Sequence, residues 1–243
     1  VAGSRAAFVR LMNEKAKELG LNDTNFTNPH GLHDDNHYTT AYDLALVSAY
    51  AMQNEDFAEI VGSKSYTINS PESKRYLRNK NKILSSYEGA TGIKTGFTKK
   101  AGRCLIASSK REGLEVVAVV LNCGPMFEEC SRLMDKAHNE YKMVKIFEEN
   151  ERVLKIKVKG GKEKYVDVVI KEDIMLPLKK DGSDNFRFKI NSLELLNAPV
   201  KKDADVGELE ISLNECLHFS KNIYTIKDIE KKGVRDYFRD IFE

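Results

Sequence analysis

The sequence predicts an α/β (α+β) domain over residues 1–148, a small all-β domain over residues 149–225 and a terminal amphipathic helix over residues 226–243. Two changes of pattern indicate this division. Up to about residue 148, segments with apolar residues at helical spacing occur together with strand-like runs. After that point the chain consists of short segments in which apolar and polar residues alternate, separated by Gly-Gly and Asp-Gly turns. The last residues then place apolar side chains on one helical face and charges on the other.

The first domain is predicted to begin with helices. Residues 6–19 carry apolar side chains three and four positions apart, which predicts a helix that Gly20 ends. Thr40, followed three residues later by Asp43, is a capping box that starts a second helix, and Asn54 is placed to cap a third.

Strand-like segments follow, each bounded by turn residues. In the first domain they cover residues 65–69, 74–77, 92–98, 103–109 and 114–122, and a helical pattern over residues 126–147 closes the domain. In the second domain, alternating segments cover residues 153–158, 164–170, 186–190 and 208–213.

The composition is typical of a globular protein, with 243 residues, 41% of them hydrophobic and 31% charged. The 39 basic and 37 acidic residues nearly cancel to a net charge of +2, so the composition does not support a nucleic-acid partner. No apolar run approaches the roughly eighteen residues that a membrane-spanning helix requires.

The four cysteines, at positions 104, 123, 130 and 216, form no C-x-x-C motif. Cys123 and Cys130 could pair in an oxidising compartment, but free thiols are the favoured interpretation at this low density of cysteine.

The run GATGIKTGFT over residues 89–98 has two interpretations. A phosphate-binding loop requires G-x-x-x-x-G-K-[ST], with glycine directly before the lysine, and Ile93 occupies that place. Such a loop also leads straight into a helix, whereas a strand-like run follows here. The alternative is the motif K-T-G, Lys94-Thr95-Gly96, one of three motifs that build the site of penicillin-binding proteins and β-lactamases.

Five phrases around this motif occur in the order found in one family. They are NFTNPHGL over residues 25–32, TTAYDLA over 39–45, RNKN over 78–81, TGIKTGFTKKAG over 91–102 and LELLNAPV over 193–200. On these phrases the chain resembles the D-alanyl-D-alanine carboxypeptidases, which are low-molecular-weight penicillin-binding proteins of the serine peptidase type. The resemblance covers nearly the whole chain.

The resemblance implies a serine β-lactamase/penicillin-binding-like first domain and removal of the terminal D-alanine from peptidoglycan stem peptides through an acyl-enzyme. It also implies β-lactam antibiotics as covalent inhibitors, and neither a metal nor an organic cofactor. The expected location is outside the cytoplasm of a bacterium, associated with the cell membrane. The terminal helix would contact the membrane surface, although a core helix and a partner-docking helix remain open alternatives.

Within that family pattern, the K-T-G strand binds the substrate by its edge. Lys94 would supply positive charge for the substrate carboxylate and the polar network of the site, and Thr95 and Thr98 would add hydroxyl groups. Gly96 would allow close approach of another backbone. The backbone N–H of Phe97 would contribute to an oxyanion hole.

The family also needs S-x-x-K, which carries the nucleophile and base, and S-x-N, both before K-T-G. No S-x-x-K occurs in the chain, and its S-x-N triplets, which begin at Ser183, Ser212 and Ser220, all follow Lys94. We therefore expect an N-terminally incomplete domain that is inactive alone, with the nucleophile on a separate segment of the same protein. The alternative is a non-catalytic cell-wall-binding or scaffold protein derived from this fold.

A metal site is the last alternative. His30, His33 and His37 form H-x-x-H-x-x-x-H in a polar loop, but no suitable fourth ligand lies nearby and no helix fixes them. We therefore expect the three histidines to be loop residues near the cleft that do not bind a metal, with Asn28 and His30 shaping the rim of that cleft.

Overall fold

The computed structural model describes residues 1–70, 73–214 and 217–233, and the chain divides into two compact units, Val1–Tyr141 and Lys142–Glu243. The sequence predicts the boundary seven residues later, at residue 148. The difference arises because residues predicted to end a helix form a strand of the second unit.

The first unit combines helices with a hairpin and an antiparallel sheet. Its helices are α1 (Arg5–Glu18), α2 (Ala41–Ala51), α3 (Glu55–Gly62), α4 (Ile83–Ser86) and α5 (Met126–Glu140). Its strands are β1 (Ser65–Asn69), β2 (Lys74–Arg78), β3 (Ala90–Thr98), β4 (Gly102–Arg111) and β5 (Leu114–Val120). β1 and β2 pair with each other, and β3, β4 and β5 form a sheet in that order.

Side-chain caps start the first three helices. The Ala7 N–H donates to the Ser4 hydroxyl at 3.1 Å, the Asp43 N–H to Thr40 at 3.1 Å, and the Phe57 N–H to Asn54 at 2.9 Å. Each cap satisfies a backbone donor that the first helical turn leaves without a partner. The caps predicted at Thr40 and Asn54 are therefore present.

The three-stranded sheet is covered on both faces. On one face, the buried Leu105 and Ala107 of β4 pack against Cys130 and Met134 of α5. Side chains alternate along a strand, so Ser108 lies on the other face, toward α3. Helices α5 and α3 therefore hold β3 and β4 from opposite faces of the sheet.

The helix predicted over residues 126–147 is wrong in its last seven residues. α5 ends at Glu140, and β6 (Tyr141–Phe147) pairs with β9 (Ile174–Lys179). Val144 and Ile146 are β-branched and favour a strand, although Tyr141 and Val144 also continue the helical spacing. Local periodicity cannot resolve this ambiguity, and pairing with a distant strand decides it.

The second unit is a β domain. In addition to β6 and β9, its strands are β7 (Arg152–Lys159), β8 (Tyr165–Val169), β10 (Phe186–Ser192), β11 (Leu195–Asn197), β12 (Asp205–Leu213) and β13 (Leu217–Thr225). The larger sheet has the order β10-β12-β13-β8-β7-β11, in which only the β11–β7 pair is parallel. Its core contains Ile156, Val166, Leu209 and Ile223, all 2% exposed or less. The all-β prediction for this unit is confirmed.

The described part of the terminal segment is not helical. Ile229 bridges to Val200 and Lys231 bridges to Gly161, so residues 226–233 run along the β domain. A helix therefore does not begin at residue 226 as predicted, and residues 234–243 lie outside the described residues. Among the described residues, no helix is long and apolar enough to cross a bilayer.

Candidate active site

The K-T-G motif lies on the edge strand β3. Within the described ranges β4 alone pairs with β3, which leaves the other edge of the strand open. Lys94 pairs with Ile106, Thr95 with Leu105 and Gly96 with Cys104. An open strand edge presents backbone N–H and C=O groups with which an extended peptide can form a new ladder.

Lys94 is exposed, and Thr95 is half-buried. The Lys94 ammonium donates a 2.7 Å hydrogen bond to the Thr95 carbonyl oxygen. The side chain therefore lies along its own strand and stays exposed to solvent. An ammonium carries three donors, so this single contact leaves capacity for a carboxylate.

Gly96 and Phe97 are both exposed, and Phe97 has 70% of its surface open to solvent. The side chain of Phe97 therefore contributes little to the core. The Thr98 hydroxyl oxygen accepts a 2.9 Å hydrogen bond from the Ala101 N–H, which closes the turn into β4. The Thr98 hydroxyl that is predicted for the site thus also makes a structural contact.

Polar contacts behind the motif hold the first half of β3. The Thr91 hydroxyl lies 2.8 Å from the Ser108 hydroxyl and 3.1 Å from a Glu115 carboxylate oxygen. A Cβ on Gly92 would lie 3.0 Å from Val61 Cγ2 of α3, so α3 packs closely on the strand. These cross-strand neighbours depend on register, and sequence spacing did not identify them.

A buried carboxylate organises the loop between α1 and α2. Asp43 is 4% exposed and accepts hydrogen bonds from the Asp23 N–H at 3.1 Å and the Thr24 hydroxyl at 2.6 Å. Asn28, also buried, accepts from the Gly31 N–H at 2.7 Å and donates to the Leu32 carbonyl at 2.9 Å. Asp43 of TTAYDLA therefore holds the two residues that precede NFTNPHGL, and Asn28 closes a turn within NFTNPHGL.

The three loop histidines have separate local partners. His30 Nδ1 accepts from the Leu32 N–H at 3.2 Å, His33 Nε2 lies 3.1 Å from Asp35, and His37 Nδ1 accepts from the Thr27 N–H at 3.1 Å. The part of the chain that the structure describes contains no group of three His, Cys, Asp or Glu side chains placed to hold a metal.

The phrase RNKN folds the segment between β2 and α4. Asn79 donates to the Ser63 carbonyl at 3.0 Å and accepts from the Asn81 N–H at 2.9 Å. Asn81 is 3% exposed and accepts from the Ile83 N–H at 3.3 Å. The two asparagines thus replace backbone pairing in a segment that is neither strand nor helix.

Cys104, Cys123 and Cys130 are free thiols. Burial raises the pKa of the Cys130 thiol to about 12, so Cys130 behaves as a core residue of α5. Cys104 is half-buried and lies opposite Gly96 across the β3–β4 ladder.

The S-x-N triplets lie in the second unit. Ser183 stands in the segment between β9 and β10, Ser212 on β12 and Ser220 on β13.

Comparison with protein families identifies both parts of the chain. A family model described as D-alanyl-D-alanine carboxypeptidase matches residues 1–124. A second model, described as penicillin-binding protein 5, C-terminal domain, matches residues 141–231. These two ranges follow the two structural units.

Curated relatives agree with these family matches. The chain is 31% identical to the D-alanyl-D-alanine carboxypeptidase DacF of Bacillus subtilis, over 96% of this chain and 61% of DacF. It is 29% identical to the D-alanyl-D-alanine carboxypeptidase DacC of Escherichia coli, over 96% of this chain and 59% of DacC. The chain therefore spans about three-fifths of the length of the curated relatives it matches.

Solved structures share the fold. A peptidoglycan synthesis regulatory factor (PBP3) from Streptococcus pneumoniae matches with a TM-score of 0.77 and 26% identity, over 94% of this chain and 71% of that one. Penicillin-binding protein 5 from Haemophilus influenzae matches with a TM-score of 0.65 and 25% identity, over 93% of this chain and 66% of that one. With a family match across 124 of 243 residues and this shared fold, the chain belongs to the D-alanyl-D-alanine carboxypeptidase family.

Proposed function

We propose that this chain is the substrate-binding and C-terminal part of a serine-type D-Ala-D-Ala carboxypeptidase that removes the terminal D-alanine from peptidoglycan stem peptides. One observation carries the proposal, namely that an open strand edge presents Lys94, Thr95 and Gly96 in a member of this family. No metal or organic cofactor is part of the proposed reaction.

The proposed substrate pose follows from the edge geometry. The stem peptide adds to β3 as an extended strand, with its terminal carboxylate near the Lys94 ammonium and the Thr95 hydroxyl. Gly96 leaves room for the incoming backbone, and the Phe97 N–H donates to the carbonyl oxygen that becomes negative in the transition state. One such donor is typically worth about 3 kcal/mol of transition-state stabilisation.

The nucleophile and its base lie outside these 243 residues in this proposal. No S-x-x-K occurs in the chain, and the curated relatives are longer than the part that it matches. A serine with its activating lysine would therefore come from another segment of the same protein and form the acyl-enzyme with peptide or β-lactam.

The test uses the full-length protein and a synthetic pentapeptide that ends in D-Ala-D-Ala. We expect release of one D-alanine per peptide, and a single penicilloyl adduct on a serine outside these residues after incubation with benzylpenicillin. Peptide mapping by mass spectrometry locates the adduct. Absence of both activities from a folded full-length protein would instead favour the non-catalytic wall-binding or scaffold function, with which the absence of S-x-x-K from this chain also agrees.

We also propose an extracytoplasmic location in contact with the membrane surface. Family membership supports the location, and the membrane contact is supported by the sequence of residues 234–243, which as a helix would place three aromatic side chains on one face and both signs of charge on the other. Co-sedimentation with anionic vesicles, compared between the chain and a version that ends at residue 233, tests this. Equal sedimentation of the two would remove the proposed contact.

A further inference from the structure

A basic cleft lies between the β1–β2 hairpin and the segment that leads into α4. Its volume is about 910 Å³, and Lys64, Tyr76, Arg78, Lys80, Asn81 and Lys82 are among the residues that line it. None of its lining residues belongs to β3 or to the K-T-G motif. The volume is in the range of pockets that hold drug-sized ligands and exceeds what a single small ion fills.

The charge of the cleft has one sign. Four cationic side chains line it, those of Lys64, Arg78, Lys80 and Lys82, and no carboxylate does. All four are exposed, and none takes part in any of the ion pairs found across the described residues. Residues 63–86 hold six of the 39 basic residues of the chain but only one of the 37 acidic ones. A concentration of like charge in a concave surface attracts anions.

A buried amide on the same wall lacks an acceptor. Asn81 is 3% exposed, and its Nδ2 donates no hydrogen bond within the described structure. Its Oδ1 accepts from the Ile83 N–H at 3.3 Å, and exchanging the two amide atoms would place a donor against that N–H. The orientation is therefore set by the fold. A buried donor without an acceptor is costly, and a small movement of the Asn81 side chain toward the cleft would let an oxygen atom of a ligand accept from it.

We propose that this cleft binds a ligand that carries two or more oxyanion groups, either phosphates or carboxylates. The four cations would neutralise the ligand, Asn81 would donate to one of its oxygens, and the exposed Tyr76 would cover part of it. Guanidinium and ammonium groups bind both kinds of oxyanion, so the cations leave the choice between phosphate and carboxylate open.

Calorimetric titration of the full-length protein at low salt, with tripolyphosphate and with the peptide Glu-Glu-Glu as probes, separates the two chemistries. We expect one of the two probes to bind. Adding that probe should shift the side-chain amide resonances of Asn81 in the NMR spectrum of the protein. The variant Lys64→Gln with Lys82→Gln should weaken that binding about tenfold, because each exposed ion pair contributes modestly.

The matched control removes two exposed cations from α1 instead, with Arg5→Gln and Lys17→Gln. It should leave the dissociation constant within about twofold, because neither residue lines the cleft. Equal weakening in the control, or no binding of either probe, would overturn the proposal. A third outcome, in which a short oligothymidylate binds tighter than both probes and loses affinity only in the cleft variant, would replace it with a nucleic-acid site.

Discussion

Gly96 lies directly opposite Cys104 in the β3–β4 ladder, and a Cβ on Gly96 would have only the Cys104 Cβ, at 3.8 Å, within 4 Å beyond its chain neighbours. That distance is an ordinary van der Waals contact. The fold of this chain therefore does not itself require glycine at position 96. If glycine is needed there, the reason is the approach of a ligand to the strand.

Gly96→Ala should separate folding from binding. We expect the free energy of unfolding to change by less than about 0.5 kcal/mol, since the new methyl group has room. In the full-length protein, acylation by a fluorescent penicillin should slow about tenfold or more, because the methyl group obstructs the docked backbone. Urea denaturation and labelling time courses measure the two effects.

Gly92→Ala is the matched control on the same strand. A Cβ on Gly92 would lie 3.0 Å from Val61 Cγ2 and 3.3 Å from Ser108 Oγ, so α3 or the Ser108 side chain has to shift. This substitution should cost about 1–3 kcal/mol of stability. If Gly96→Ala proved as destabilising as Gly92→Ala, the role assigned to Gly96 would be structural.

Ser109→Ala tests a buried hydrogen bond between β4 and α5. The Ser109 hydroxyl lies 2.8 Å from His138 Nε2, and the two residues are 0% and 8% exposed. Removing this buried hydrogen bond should lower the free energy of unfolding by about 1–3 kcal/mol. Ser63→Ala removes a hydroxyl bonded to the Glu59 carbonyl near the surface and should cost less than about 0.5 kcal/mol. Similar losses of unfolding free energy in the two variants would mean that the buried Ser109–His138 hydrogen bond stabilises the fold no more than the exposed one at Ser63.

The described cysteines should differ in reactivity. Burial raises the pKa of Cys130 to about 12, whereas Cys104 and Cys123 are half-buried. At about pH 8, iodoacetamide should therefore modify Cys104 and Cys123 at least about 100-fold faster than Cys130 in the native protein. Peptide mapping by mass spectrometry measures this, and unfolding in urea should remove the difference. Rapid native labelling of Cys130 would contradict the packing of α5 on the sheet.

The Lys145–Asp173 ion pair should make part of the stability depend on pH. Asp173 accepts hydrogen bonds from the Lys145 ammonium and from the Glu149 N–H. The first of these is the larger cause, and together they lower the pKa of the Asp173 carboxyl below its ordinary value of 3.8. A carboxyl group whose pKa is lower in the folded state stabilises the fold at pH values above its unfolded-state pKa. This stabilisation is lost as the pH falls through the folded-state pKa. The loss of unfolding free energy in Asp173→Asn should therefore be present at about pH 7 and shrink below about pH 3.8.

Lys145→Gln provides the comparison for this pair. It removes the same ion pair from the β6 side, so it should show a loss of the same sign at neutral pH, and the double variant should lose less than the sum of the two single ones. Additive losses would show that the two side chains do not interact in solution.

The sequence predicted the elements whose signals are local. The caps at Thr40 and Asn54 need only a side chain and an N–H three residues away, and both are present. The strands around K-T-G have β-branched residues and clear turns, and they are present within a few residues of the predicted limits. The family phrases correspond to hydrogen-bonded segments, as at Asn28 and Asn79.

What the sequence did not predict depends on distant partners. β6 is a strand because it pairs with β9, and β9 contains Pro177, which is unusual inside a strand and weakens its local signal. The contact of Gly96 with Cys104 and the acceptor-free Nδ2 of Asn81 follow from register and burial, which periodicity does not encode.

The most direct test of the central claim is the second-order rate constant for penicillin acylation of the full-length protein and its Lys94→Gln variant. Lys94 is exposed, and among the described residues its ammonium bonds the Thr95 carbonyl alone, so the variant should unfold at the same temperature as the wild type. We expect a rate constant lower by about 100-fold or more, whereas Lys99→Gln, which removes an exposed cation just past the strand, should leave it within about twofold. An unchanged rate in folded Lys94→Gln would contradict the assignment of this strand as the substrate-binding edge.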